Sequence, residues 1–135
     1  MQIRKCKKED LEEIYEIERM SFKYPYPFFV FYDFLDKLFF VIEENRKIVG
    51  YVIADEERSL IISIAIHPEY RRRGYGKMLM KHVLRFMKGK VILQVRKSNK
   101  EAIEFYKKLG FEEEGEIKRY YIDGEDALLM SKMLD

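Results

Sequence analysis

Tryptophan and threonine are missing from this chain, and cysteine occurs once, at Cys6. A lone cysteine cannot form an internal disulfide and fits a reducing compartment, so a cytoplasmic location is expected. With two separated histidines beside it, His67 and His82, ligands for a metal site are too few, and no metal is expected. Long apolar runs are missing too. Residues 28–31 and 60–66 fall far short of the roughly 20 residues that span a bilayer, so no membrane association is expected. No basic segment followed by an apolar stretch opens the chain, which predicts no signal peptide. Charge of one sign is scarce: 26 Lys and Arg against 24 Asp and Glu leave +2. That balance gives no general pull on a polyanion, and no nucleic-acid partner is expected.

What is present suits a single folded domain over 1–135. The chain is 47% hydrophobic, which argues against disorder. Charged residues reach 37% while Asn and Gln occur twice each, a thermophile-like composition. Hydrophobic spacing predicts a strand over 2–5, then a helix carrying Leu11, Ile14, Tyr15 and Glu18 on one face. Pro25 and Pro27 break that helix, and a short second helix is expected around 28–36. Strands are expected over 38–43, 47–54 and 59–66, with a turn at Glu44-Asn45-Arg46. Tyr75, Met78, Leu79, His82, Val83, Phe86 and Met87 mark one face of the next helix, and 91–95 reads as a strand. Ser98 to Glu101 has the pattern of a capping box before Ala102, Phe105, Tyr106 and Leu109, and Gly110 marks the helix stop. Residues 111–119 and 125–133 suggest a hairpin across Asp123-Gly124. The order βααβββαβαββ implies an α/β fold with a mixed, mainly antiparallel sheet flanked by helices.

Residues 62–77 carry the most information about function. An apolar strand stops at His67-Pro68, a basic turn with two glycines follows, and an amphipathic helix begins. A strand delivered onto a helix N-terminus makes an anion site, and Arg71, Arg72, Arg73 and Lys77 add positive charge. An arginine cluster on a solvated surface has no need of Gly74 and Gly76, whereas a phosphate approached by backbone N–H groups does. A phosphate-bearing cofactor is the expected ligand.

Arg71-Arg72-Arg73-Gly74-Tyr75-Gly76 resembles the acetyl-CoA signature of the Gcn5-related N-acetyltransferase (GNAT) superfamily, Arg/Gln-x-x-Gly-x-Gly/Ala. Asn99, Ala102, Phe105-Tyr106 and Leu109-Gly110-Phe111 resemble the family's segment after the cofactor helix. Residues 118–127, Lys-Arg-Tyr-Tyr-Ile-Asp-Gly-Glu-Asp-Ala, resemble the end of protein N-terminal acetyltransferases, the archaeal enzymes and the ribosomal-protein-alanine acetyltransferase among them. The resemblance implies the GNAT fold and acetyl-CoA as donor. Strand N–H groups of Ile64, Ala65 and Ile66 would align the pantetheine arm, and the 71–77 turn, with Tyr75 in it, would hold the pyrophosphate. Asn99 would hold the pantetheine, and Tyr106 would act as general acid for the leaving thiolate. The loop with Phe22, Tyr24 and Tyr26 and the pair Tyr120 and Tyr121 would wall a cleft for a protein N-terminal peptide.

Each residue also has a plainer reading. Tyr106 suits a core aromatic, Asn99 a helix start, and the other tyrosines ordinary packing. His67 closes a strand and His82 packs. The family often carries Glu or His in a Leu-Glu-Val-Arg or Leu-His-Val-Arg motif, where this chain has Leu93-Gln94-Val95-Arg96. Gln94 takes no proton and can only orient water or peptide. A site without a strong base suits an α-amine, whose neutral form costs about 1 kcal/mol at pH 7, against about 4.6 kcal/mol for lysine. Phe22 stands where relatives preferring acidic or small first residues often carry Glu, so an apolar first residue such as Met is expected. The reading is thus an N-α-acetyltransferase. The alternatives are a small-amine acetyltransferase and a non-catalytic acyl-CoA-binding module. A ribosome or auxiliary-subunit partner is not readable from the residues.

Overall fold

In the computed structural model of the chain, which describes residues 1–135, every expected element forms in the expected order. The elements fall into two compact units, Met1–Phe86 and Met87–Asp135.

The first unit is an antiparallel sheet with helices. Strands β1 (Gln2–Lys5), β2 (Leu38–Glu44), β3 (Lys47–Asp55) and β4 (Leu60–Ile66) pair in sequence, each antiparallel to the next. From its second residue on, β3 is buried throughout, so it reads as an unbroken apolar run rather than an alternation. Helix α1 (Leu11–Ser21) lays Leu11, Ile14 and Ile17 into a core with Phe31, Phe39 and Tyr51. It ends where Phe22 turns to extended backbone. The expected second helix is a single turn, α2 (Val30–Asp33), followed by a 3-10 turn over 34–36. Asn45 and Arg46 both adopt positive φ in the β2–β3 turn. Arg4 binds Asp10 at 2.8 Å and Glu43 at 3.0 Å, joining β1 to β2 and to the start of α1. Cys6 is buried, which pushes its thiol up to about 12.

Helix α3 (Tyr75–Leu84) buries Leu79, Met80 and Val83. Met78, expected inside, is exposed, because the buried stripe runs through Met80 instead. His82 packs edge-on against Phe40 at 4.6 Å, as its packing reading predicts.

In the second unit β7 (Ala127–Met133) pairs antiparallel with both β5 (Lys90–Arg96) and β6 (Glu112–Ile117). Helix α4 (Lys100–Lys108) half-buries Ala102, Phe105, Tyr106 and Leu109, the expected face, together with Ile103. Gly110 stops it at φ 97°, a conformation that suits glycine. The helix begins at Asn99 rather than through a Ser98–Glu101 box: Asn99 Oδ1 accepts the Ala102 N–H at 3.1 Å. The last hairpin is wider than Asp123-Gly124 alone suggests. Residues 118–126 form a folded loop, because the side chains of Arg96 and Asp126 hold it open. No helix is long and apolar enough to cross a membrane.

Candidate active site

In the first unit β4 provides backbone donors. His67 N–H donates to Val49 O at 2.8 Å, so by the alternation of an antiparallel ladder Ala65 also turns its N–H to β3. Ile64 and Ile66, opposite Val52 and Gly50, turn theirs to the strand's other edge. Of the three expected donors, Ala65 is therefore taken by the sheet.

Past Ile66, residues 68–70 make a 3-10 turn. His67 Nδ1 accepts the Glu69 N–H at 3.1 Å, and the ring stands edge-on to Tyr70. His67 thus caps a turn, the structural role its position suggests. Arg73 lies 5.0 Å above the Tyr70 ring. Arg72 and Gly74 then reverse the chain in left-handed backbone, φ 66° and 85°. Gly74 is the N-cap of α3 and has no side chain to satisfy the helix. The first N–H groups of α3, at Tyr75, Gly76 and Lys77, have no helical acceptor, and the dipole makes their surroundings attractive to an anion. Arg71, Arg72, Arg73 and Lys77 are exposed around them.

Two side chains in this turn have a different engagement from the expected one. Arg71 Nε donates to Ile66 O at 2.9 Å and its Nη2 to Ser21 Oγ at 3.2 Å, so this arginine ties the turn to the end of α1. Tyr75 hydrogen-bonds Glu44, which raises its phenol above the ordinary value. Its backbone, not its ring, is available to an anion. The loop after α1 is thereby fastened beside the anion turn, and it shows solvent Phe22 (38% exposed), Tyr24 (50%) and Tyr26 (39%). The Tyr26 ring rests edge-on against Phe31 and Phe34.

In the second unit, Gln94 lies on the half-buried face of β5 with Ile92 and Arg96, opposite Leu129. Asn99 uses its oxygen as the α4 cap and keeps its amide NH₂ for other partners. Tyr106 packs its ring against Phe105 and Phe111. Burial, helped by the nearby Tyr121, pushes its phenol well above 10, so the hydroxyl stays protonated through neutral pH. The Tyr120 and Tyr121 rings meet edge-on at 5.0 Å. Arg96 sits 4.2 Å over Tyr121 and binds Asp123 at 3.0 Å and Glu125 at 2.8 Å, so one guanidinium organises the loop that carries both tyrosines. A groove of about 270 Å³ also lies along α4 and β6. Two of its lysines are paired, Lys97 with Glu116 and Lys107 with Glu113, so it is not a bare cationic pocket.

Three residues carry no signal in the sequence: Ser21, which meets Arg71, Tyr51, which meets Glu18, and Ser63, which meets Tyr51. Glu18 gave a signal, being a carboxylate on the apolar stripe of α1.

A strand leading through a glycine-bearing basic turn into an uncapped helix has the geometry to take an anion, and the sequence pattern of the Acetyltransferase (GNAT) family matches residues 9–111. The chain belongs to this family and is an N-acetyltransferase. An N-alpha-acetyltransferase of Sulfurisphaera tokodaii is 35% identical to it over 98% of this chain and 92% of that protein. The ribosomal protein bS18-alanine N-acetyltransferase of Escherichia coli is 30% identical over 90% of each. The crystal structure of Ard1 from Thermoplasma volcanium superposes with a TM-score of 0.93 at 28% identity, covering 99% of this chain and 97% of that one.

Proposed function

We propose that the protein uses acetyl-CoA to acetylate the α-amino group of protein N-termini, working as one domain over 1–135. The family match, over residues 9–111, runs through the boundary between the two units and supports the single-domain reading. The observation that carries the donor is the uncapped start of α3 behind Gly74, ringed by exposed basic side chains. The backbone of Tyr75, Gly76 and Lys77 takes the pyrophosphate, with Arg72, Arg73 and Lys77 neutralising it. Ile64 and Ile66 offer N–H groups to the pantetheine amides and the thioester carbonyl, and Asn99 offers its amide NH₂.

Acetyl-CoA supplies the activated acetyl group. The neutral amine forms the new C–N bond as the C–S bond breaks. Tyr106 gives a hydrogen bond to the departing thiolate. The proton shed by the amine leaves to water that Gln94 or Tyr120 orients. Because Gln94 cannot take a proton from the amine, the acceptor must reach its neutral form at little cost near pH 7, and this favours an α-amine over lysine. Tyr24, Tyr26, Tyr120 and Tyr121 are assigned to the peptide backbone, and Phe22 to an apolar first side chain. The names of the relatives from Sulfurisphaera tokodaii and Escherichia coli support the acceptor class.

The test is acetyl transfer from acetyl-CoA to short peptides beginning Met-Leu, Ala, Ser or Glu, with N-blocked counterparts and a set of small amines. Transfer to free peptides, best to Met-Leu, is expected. Preference for a small amine would reassign the acceptor, and preference for Glu or Ser would remove the Phe22 assignment.

A further inference from the structure

Glu18 is a charged residue in an apolar place. It lies in the last turn of α1, 2% exposed, on the side that packs into the core with Ile14 and Ile17. Burying a carboxylate costs several kcal/mol unless its oxygens are bonded. Both are. Oε1 accepts the hydroxyl of the fully buried Tyr51 on β3, which in turn lies 3.3 Å from Ser63 Oγ on β4. Oε2 accepts the backbone N–H of Tyr26 at 3.0 Å. Burial raises the carboxyl above its ordinary value of 4.5, and the bonds from Tyr51 and Tyr26 oppose that rise.

The bond to Tyr26 reaches out of the core into the loop that follows α1. That loop has a second fastening at its start, where Ser21 Oγ receives Arg71 from the anion turn. Between the two fastenings lie Phe22, Lys23, Tyr24 and Pro25, which include two of the exposed aromatics. With Pro25 and Pro27 on either side of it, Tyr26 has an N–H that neither neighbour can offer in its place. An apolar residue at position 18 would pack as well in the core but could not hold this N–H.

We propose that Glu18 is a positioning residue for the acceptor. Suspended from Tyr51, it fixes the Tyr24–Tyr26 segment through the Tyr26 N–H and so governs acceptor binding while leaving donor binding alone. The proposal rests on the reading of this loop as a wall of the acceptor cleft. Gln at position 18 keeps one carbonyl oxygen for the Tyr26 N–H and turns its NH₂ to the Tyr51 oxygen, so the fastening survives. Leu fills the volume and loses it.

The experiment compares wild type, E18Q and E18L by steady-state kinetics, acetyl-CoA titration calorimetry and amide hydrogen exchange. E18L is expected to raise the acceptor KM about tenfold or more, the loss of one well-made hydrogen bond. Its acetyl-CoA Kd should stay within about twofold, its kcat should change less than its KM, and the Tyr26 amide should exchange about tenfold faster. E18Q should stay close to wild type in all four. Unchanged Tyr26 exchange in E18L overturns the fastening. Faster exchange with an unmoved acceptor KM shows that the fastening exists and the acceptor lies elsewhere, which overturns both the proposal and the reading of the loop. Equal loss of donor and acceptor affinity marks general damage and also overturns it. Should E18L fail to fold, wild type alone decides: its Tyr26 amide must exchange at least about 100-fold slower than in an unstructured peptide, and an unprotected amide refutes the proposal.

Discussion

Burial gives Tyr106 a phenol that resists ionisation, and this decides what it can do for a thiolate. A coenzyme thiolate has a pKa near that of cysteine, about 8.5, so full proton transfer from a phenol above 10 is uphill and a strong hydrogen bond is the favoured contribution. Removing that hydroxyl in Y106F should lower kcat by roughly 100-fold, the lower end of general acid–base effects, and leave the acetyl-CoA Kd within about twofold. Stopped-flow acetyl transfer beside calorimetry checks both. A full kcat in Y106F would return Tyr106 to the plain core aromatic that its helix spacing also suggests.

At the scale of elements, the anion turn depends on Gly74. A Cβ there meets nothing within 4 Å, so space is not the constraint; the backbone is, at φ 85°. Gly74→Ala should cost about 1–2 kcal/mol of stability or be relieved by distorting the turn, and in either case should weaken acetyl-CoA binding. Thermal unfolding and calorimetry measure the two effects, and unchanged donor affinity would contradict the role given to the start of α3. This turn was legible in the sequence because glycine spacing and an apolar run report backbone conformation directly. Element order was legible for the same reason, since it follows from periodicity and from prolines at 25 and 27. The fastenings were not. Glu18 to Tyr51 spans 33 positions and Arg71 to Ser21 spans 50, and no local pattern encodes a partner at that separation. The expected strands 111–119 and 125–133 run past the observed ends at Ile117 and Ala127, because Asp123-Gly124 is a strong local turn signal that says nothing of the loop's width. Arg96 acts on the loop from β5, and Asp126 from the loop's own far end. The exposed Met78 shows the limit of counting by 3.6, since apolar residues fall on both sides of the stripe that α3 buries through Leu79, Met80 and Val83.

For the folded molecule as a whole, the pairing of Arg4 with Asp10 links stability to pH. Burial pushes the Asp10 carboxyl up, but the two Arg4 bonds and the Lys7 N–H outweigh it, and the net shift is below 3.8. A carboxyl lowered in the folded state stabilises above its unfolded pKa and loses that contribution as pH falls through the folded one. Asp10→Ala should therefore cost about 1–3 kcal/mol at pH 7, and the difference from wild type should shrink below roughly pH 4. Urea unfolding at the two pH values measures it, and a pH-independent difference would contradict the assignment.

With Gln94 rather than a base at its β5 position, the proposed site acetylates α-amines and spares lysine. The most direct measurement offers one peptide carrying both a free α-amine and an internal lysine, with acetyl-CoA, and locates the acetyl group by fragment mass spectrometry. Acetyl is expected on the α-amine, with the lysine untouched near pH 7. Acetyl on the lysine, or no transfer while acetyl-CoA binds, would contradict that expectation.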